Sequence, residues 1–383
     1  MSRFLSFLLL AACSGAVAKE IKQAPEAEAK FVGAIGCRSS SCHGGAGEKR
    51  SQYITWSQKD FHTRAYAILL DARSARIGEA VGISQPQSNA RCTVCHSPFQ
   101  SVAQSRLTPT AHPDEGVSCE SCHGAAESWL RGHTRGDWTY ATRVSAGMHD
   151  LRNLYVRANA CVACHQNVDA DILKAGHPEL VFELDSQSVN EPKHWPDEDQ
   201  WIGPRAWFIG QAVALREASW ALTTSLAAPD EVSNLRADQA ALGWLVLTTT
   251  GAIKSLPQFT SGVMKFAPTT QNAADELAHA AVTMAWSESS VRNLAAVLAS
   301  TDKEFVGEHP PVFDVHNTRG ELAARAKRLV LALDRLMTAL NQNLATPLTI
   351  EKELDALRED VRLRDNFDAK RFAEHLRAFH AKL

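Results

Sequence analysis

The sequence predicts a mainly α fold in two unlike parts. A loop-rich first half is packed around something other than apolar side chains, and an antiparallel helical bundle follows it. Three observations predict this. Eight of the nine cysteines lie between Cys37 and Cys164, and the ninth is Cys13. Periodicity is poor from Phe31 to about Trp195, a stretch rich in Gly, Ser and short polar runs that holds ten of the fifteen histidines. Past Pro204 the cysteines stop, and long segments with apolar residues at helical spacing begin.

The cysteines explain the first half. Cys119-Glu120-Ser121-Cys122-His123 places two thiols three residues apart with a histidine directly after the second. This is the attachment sequence of a c-type haem, whose vinyl groups take the two sulfurs and whose iron takes the histidine. The motif recurs at Cys92 to His96 and at Cys161 to His165. A fourth copy, with Cys37, Cys42 and His43, has four residues between the cysteines, and its extra residues can bulge while both thiols reach one haem. A zinc site would need Cys and His in sets of four around one tetrahedral ion, and a redox pair needs only the two thiols. Neither gives a reason for a histidine after the second cysteine every time. The expectation is four covalently attached haem c groups, held by Cys37, Cys42, Cys92, Cys95, Cys119, Cys122, Cys161 and Cys164, with His43, His96, His123 and His165 on the irons. No thiol is left for a disulfide framework, and haem replaces it as the covalent staple.

In chain order, residues 1–18 read as a signal peptide. Arg3 is the one early charge, Phe4 to Ala12 is apolar, and Ala16-Val17-Ala18 is a small-residue cleavage site. The apolar core is too short to span a bilayer. Leu10-Ala11-Ala12-Cys13 also fits a lipoprotein signal, so membrane contact is expected only if Cys13 is lipidated. Both readings place the mature chain outside the cytoplasm, in the periplasm. Residues 19–30, rich in Ala, Glu and Lys, read as a flexible lead-in. Residues 31–198 form the tetrahaem domain, expected as short helices joined by loops. A second axial ligand for each iron is sought among the other histidines there. His62, His112, His133 and His177 are expected in that role, with His149 and His194 in reserve. A motif histidine faces its own haem, so these ligands come from beside another haem and tie the haems into one cluster.

The haem-bearing half resembles the tetrahaem cytochrome c-554 family. The resemblance is carried by Trp56-Ser57 and His62-x-x-Ala65 after the first motif, by Gly116-Val117-Ser118 leading into the third, by Gly132-His133, and by the fourth motif, over about residues 31–195. It implies an electron carrier with closely stacked haems and implies His62 and His133 as distal ligands. In the best-known member the second-motif haem, here that of His96, lacks a distal ligand. His112 stands where that member has no histidine and is expected to fill the open position. The widened first motif departs from the pattern, and Gly176-His177-Pro178 with His194-Trp195 resembles longer multihaem relatives.

Trp195-Pro196-Asp197-Glu198-Asp199 reads as a linker, and residues 199–383 as the bundle. Helices are expected from Pro204 to about Ala227, from Pro229-Asp230 to about Lys254, and from about Ala273 to Ala299, with breaks marked by Thr270, Pro310 and Pro311. The next carries Leu322, Leu329 and Leu336 at one heptad position and Ala326, Leu333 and Leu340 at the other, with Arg325, Lys327 and Arg328 outside the stripe. Leu354, Leu357 and Val361 mark a fifth, and Phe372, Leu376 and Phe379 a short last one. Trp207, Trp220, Trp244 and Trp286 are expected in the core. His279, His309, His316, His375 and His380 form no Glu-x-x-His pair and read as structural, with His309 and His316 the first to check for reach to a haem.

The formal net charge of −3, without a basic patch interleaved with aromatics, argues against nucleic acid. No phosphate loop, nucleophile elbow or dinucleotide fingerprint is present. The function these features favour is a periplasmic carrier of single electrons between a donor and an acceptor redox protein. The alternatives are an oxidoreductase with one open, five-coordinate haem acting on a small nitrogen or sulfur species, and a subunit of a larger redox complex. The bundle would then make a dimer or docking surface.

Overall fold

The computed structural model describes residues 29–195, 199–224, 229–306, 318–362 and 366–383. The leader with Cys13, most of the lead-in, Pro310, Pro311, His309 and His316 lie outside the described residues. The described chain is mainly helical. It has no strand, and one isolated parallel bridge joins Phe31 to Leu107.

The first half is a series of short helices: α1 Gln52–Lys59, α2 Ala65–Ile68, α3 Ala72–Ala80, α4 Ala90–His96, α5 Cys119–His123, α6 Tyr140–Ser145, α7 Leu154–His165, α8 Ala170–Lys174 and α9 Leu184–Asn190. Local chemistry starts many of them. Asp71, Asn89, Thr139 and Asn153 each accept a backbone N–H of the first turn through the side chain. Apolar packing is sparse here, limited to small clusters such as Val32 with Ala126 and Trp129, and Phe99 with Leu107 and Ala111.

The second half supplies the main core. Its helices are α10 Ile202–Thr224, α11 Pro229–Ala252, α12 Ala267–Ala281, α13 Glu288–Ala299, α14 Lys303–Val306, α15 Thr318–Asn343, α16 Glu351–Asp360 and α17 Ala369–His380. α10 packs along α12 and α11, α11 against α15, and α13 against α15 and α17. The heptad stripe of α15 is buried through Ala326, Leu329, Leu333, Leu336 and Leu340. Each such leucine adds about 1.5–3 kcal/mol of apolar burial.

This core does not stop at the linker. Leu154, Ala158 and Val162 of α7, with Phe182 and Leu184, belong to it. Around them, Tyr155 donates to Asp275 at 2.7 Å, and Arg216 reaches both Asp275 at 2.7 Å and Asn159 at 2.6 Å. The Tyr155 ring stacks on His279 with centroids 3.6 Å apart. The helix of the fourth cysteine motif is thereby bolted to α10 and α12.

Several sequence expectations need correction. The helix expected over 273–299 is two, because Ser287 and Ser290 form a capping box that starts α13 afresh. The apolar residues carried across the junction hid the break. Thr270 does not interrupt a helix; it sits buried inside α12, with its hydroxyl donating to Val263 and Phe266 carbonyls. Trp220 is 45% exposed, whereas Trp207, Trp244 and Trp286 are buried. Arg325 is buried rather than outside the stripe: it pairs with Glu321 one turn away and lies over the Trp244 ring at 5.1 Å. His62 lies on a 3₁₀ turn, Phe61–Arg64, capped by Asp60.

Asp334 joins α15 to α16. Burial opposes its ionisation, but Arg358 and Arg335 outweigh that and hold the carboxyl below the usual carboxylate range. A depressed folded value contributes stability above the unfolded value of about 3.9 and loses it as pH falls through the folded one. Asp334→Asn is expected to cost about 1–2 kcal/mol at neutral pH, discounted because Arg358 is 40% exposed. Urea midpoints of wild type and variant should converge as the pH falls below about 4, and a constant gap would disprove the linkage.

Candidate functional site

Helical geometry puts the cysteines and histidine of three motifs on one side of a turn. Positions i, i+3 and i+4 share a face, and the motifs form α4, α5 and the C-terminal end of α7. At the start of α5 the Ser118 backbone N–H donates to Ser121 Oγ at 3.2 Å. The widened motif is built differently. A 3₁₀ turn, Ala34–Cys37, leads into a loop in which Cys42 N–H donates to the Ser39 carbonyl at 2.9 Å. His43 N–H then returns to the Cys37 carbonyl at 3.2 Å, so the extra residues loop out and His43 still stands beside Cys37.

Each motif histidine faces one other imidazole. His43 lies nearly parallel to His133 with ring centroids 6.0 Å apart, and His165 meets His62 at 6.0 Å. His96 meets His177 at 6.3 Å, and His123 meets His194 at 6.2 Å. Metal–imidazole bonds of about 2 Å on either side of one ion, with roughly a ring radius beyond each, put centroids about 6 Å apart. The spacing is too long for ring stacking contact and suits a shared iron.

The outer nitrogens fit the same use. His43 Nδ1 meets Gln52 Oε1 at 2.8 Å, His96 Nδ1 the Ala65 carbonyl at 3.0 Å, and His133 Nδ1 the Leu130 carbonyl at 2.6 Å. His177 and His194 donate to the carbonyls of Pro178 at 2.8 Å and Pro192 at 3.2 Å. A donor Nδ1–H fixes the tautomer that leaves Nε2 with its lone pair for a metal. Burial, reinforced by His194, His149, His43 and His133, pushes His123 down to about 4. Burial likewise lowers His96, His133 and His165, so these rings are neutral, the ligating form, at pH 7. His62 differs: Asp60 and then Glu191 hold it up to about 10.

Long-range hydrogen bonds hold these segments. Val117 N–H donates to the His62 carbonyl at 3.1 Å, and the Trp56 indole donates to the Val117 carbonyl at 3.0 Å. Glu120, inside the third motif, is buried and accepts from Val32 N–H at 3.0 Å, Gly33 N–H at 2.7 Å and Ala126 N–H at 2.6 Å. Glu115 accepts from Ala34 N–H at 2.7 Å, and burial pushes it up to about 7. Gly132 lets the Trp138 ring lie where a β-carbon would be only 2.0 Å away, and this sets the turn that presents His133. The motif helices also touch: α7 packs against both α5 and α4.

Of the distal histidines expected from sequence, His62, His133 and His177 each stand against a motif histidine. His112 does not: it is exposed on a polar turn, where its carbonyl accepts from Glu115 N–H at 3.2 Å. The position next to His96 belongs to His177, and the fourth pairing is made by the reserve His194. His149 lies beside His123 but donates its Nδ1–H to the Cys122 carbonyl at 2.7 Å and packs on Gly124. The missed residue carried a signal in its order along the chain. The partners before residue 124 and those after residue 132 pair in the same sequence, and His194 is the one left for His123.

Cysteine-motif helices with a second imidazole against each motif histidine define a c-type cytochrome. The family whose model matches is described as cytochrome c554 and c-prime, over residues 19–124. That segment holds the first three motifs and His62 and ends before the fourth motif, His133, His177 and His194. The match supports electron carriage by covalently bound haem c in general terms. No curated protein and no solved structure matches the chain. No helix among the described residues is long and apolar enough to cross a membrane.

Replacing Glu120 with Ala strands three buried N–H groups, each costing about 1–3 kcal/mol, while Gln keeps one acceptor oxygen. Thermal melts of the haem-loaded protein should rank wild type above Glu120→Gln and Glu120→Gln well above Glu120→Ala. Equal melting of both variants would show that the carboxylate does not organise this junction.

Proposed function

We propose that the chain is a tetrahaem c-type cytochrome, exported to the periplasm, that passes single electrons from a donor to an acceptor redox protein through four bis-histidine haems. The observation that carries this reading is the set of four facing imidazole pairs, His43 with His133, His62 with His165, His96 with His177 and His123 with His194, at 6.0–6.3 Å. Haem iron supplies the one-electron cycling between ferric and ferrous. The protein's part is to hold two imidazole nitrogens per iron and to keep the groups close.

An imidazole on each side leaves no open coordination position, which favours outer-sphere transfer over chemistry on a bound small molecule. The contacts between motif segments support a row in the order first, third, fourth, second motif. Glu120 of the third motif takes the Val32 and Gly33 N–H groups just before the first motif, α5 of the third packs on α7 of the fourth, and α7 packs on α4 of the second. The helical half gives α7, and so the fourth motif, a rigid seat. Its outer faces are the surface on which a dimer or larger complex would form.

A pyridine haemochrome assay is expected to count four haems, and low-temperature EPR of the oxidised protein should show only low-spin signals. His194→Ala should convert one haem in four to high spin, whereas His112→Ala should leave the spectrum unchanged. A high-spin haem in the wild type would instead move nitric oxide, hydroxylamine or nitrite chemistry at that iron to the front.

A further inference from the structure

His62 is set apart from the other candidate axial imidazoles. The Nδ1 partners of His43, His96, His133, His177 and His194 are all neutral, an amide oxygen or a backbone carbonyl. His62 Nδ1 instead meets two carboxylates, Asp60 Oδ1 at 3.0 Å and Glu191 Oε2 at 3.3 Å. The ligating atoms of the three residues lie within 4.8 Å of one another.

The two acids arrive from different places. Asp60 caps the 3₁₀ turn of His62, where the same Oδ1 accepts the His62 backbone N–H at 2.9 Å, and its side chain is only 7% exposed. Glu191 ends α9 and lies far along the chain, three residues before His194. A capping aspartate alone would be explained by helix chemistry. A second carboxylate brought from so distant a segment to the same nitrogen is not.

We propose that Asp60 and Glu191 are positioning residues that hold down the reduction potential of the haem at the fourth motif by making His62 a more electron-rich ligand than its counterparts. The inference rests on the reading that His62 and His165 share one iron. An Nδ1–H donating to an anion shifts electron density toward Nε2, which strengthens its bond to ferric iron more than to ferrous. The added negative charge acts in the same direction, because in a partly buried setting it favours the state with one more positive charge. A neutral carbonyl partner gives only a weak version of this. Glu191 and His194 share one short segment, so that segment serves two neighbouring sites: it supplies a ligand to the third and tunes the ligand of the fourth.

The test is a spectropotentiometric titration of the haem-loaded Asp60→Asn, Glu191→Gln and double variants, with EPR on each. Amides keep the shape and a hydrogen-bond acceptor but remove the charge. One of four potentials should become more positive in each single variant and most in the double. The expected total is about a tenfold change in ferric-over-ferrous preference, ~59 mV for one electron, with all irons still low spin. Unchanged potentials with low-spin signals retained would overturn the proposal and leave the ligation intact. His62→Ala separates the two questions: one high-spin haem upholds His62 as a ligand, and four low-spin haems would overturn the ligation and the tuning with it.

Discussion

The structure depends on one geometric demand: two imidazoles must oppose each other across a fixed gap, four times, with nitrogens supplied from remote parts of the chain. Nothing in local propensity brings His43 to His133 or His123 to His194. The chain does it with hydrogen bonds that reach far along the sequence. Glu120 gathers the backbone of Val32, Gly33 and Ala126 around the third motif, and Trp56 and His62 are pinned to Val117. Such buried acceptors are costly to leave unmet, so they fix where the loops run even though few apolar contacts do.

A half with so little apolar packing needs a wall, and the helical half provides one. The continuous core that takes in Leu154, Ala158 and Val162 of α7 anchors the longest helix among the described residues of the haem-bearing half. The Tyr155, Arg216 and Asp275 network adds polar specificity at the same junction. Buried charge is used sparingly but firmly there. Glu183, fully buried, takes Gln211 at 2.9 Å and Arg328 at 3.4 Å, and so ties the chain after the fourth motif to α10 and α15. A buried charge left unpaired would cost several kcal/mol, so these partners fix the register between the two parts.

The motifs were legible because their chemistry is local: two thiols and a histidine within one turn read the same in sequence and in space. The α15 stripe was legible for a similar reason, since its period survives into the buried face. The distal histidines were less so. Nearness to a motif in sequence pointed to His112, but nearness in space is set by loops whose course has no periodicity. Arg325 and Trp220 were misjudged because residue type is a weak guide to burial when a partner such as Glu321 or a helix end decides it. The break before α13 was signalled by serines that an apolar run obscured.

The order of the pairs carries one more step. His43, His62, His96 and His123 come first along the chain, and their partners His133, His165, His177 and His194 follow in the same order. The haem-bearing half is therefore two passes of chain, and each facing pair is a rung that takes one imidazole from each pass. The family match ends at residue 124, where the first pass ends. The first pass alone holds no complete pair, because every rung needs a residue from the second. No rung can close until most of the half has been made, and all four closures are long-range, so loop-closure entropy is met before any contact rewards it. Covalent attachment suits this topology. Each motif fixes its group to the first or second pass by chemistry that is purely local, and the distal imidazoles then find a target already in place. The segment from Glu191 to His194 therefore matters beyond its size: it closes the His123 rung and bears on the His62–His165 rung.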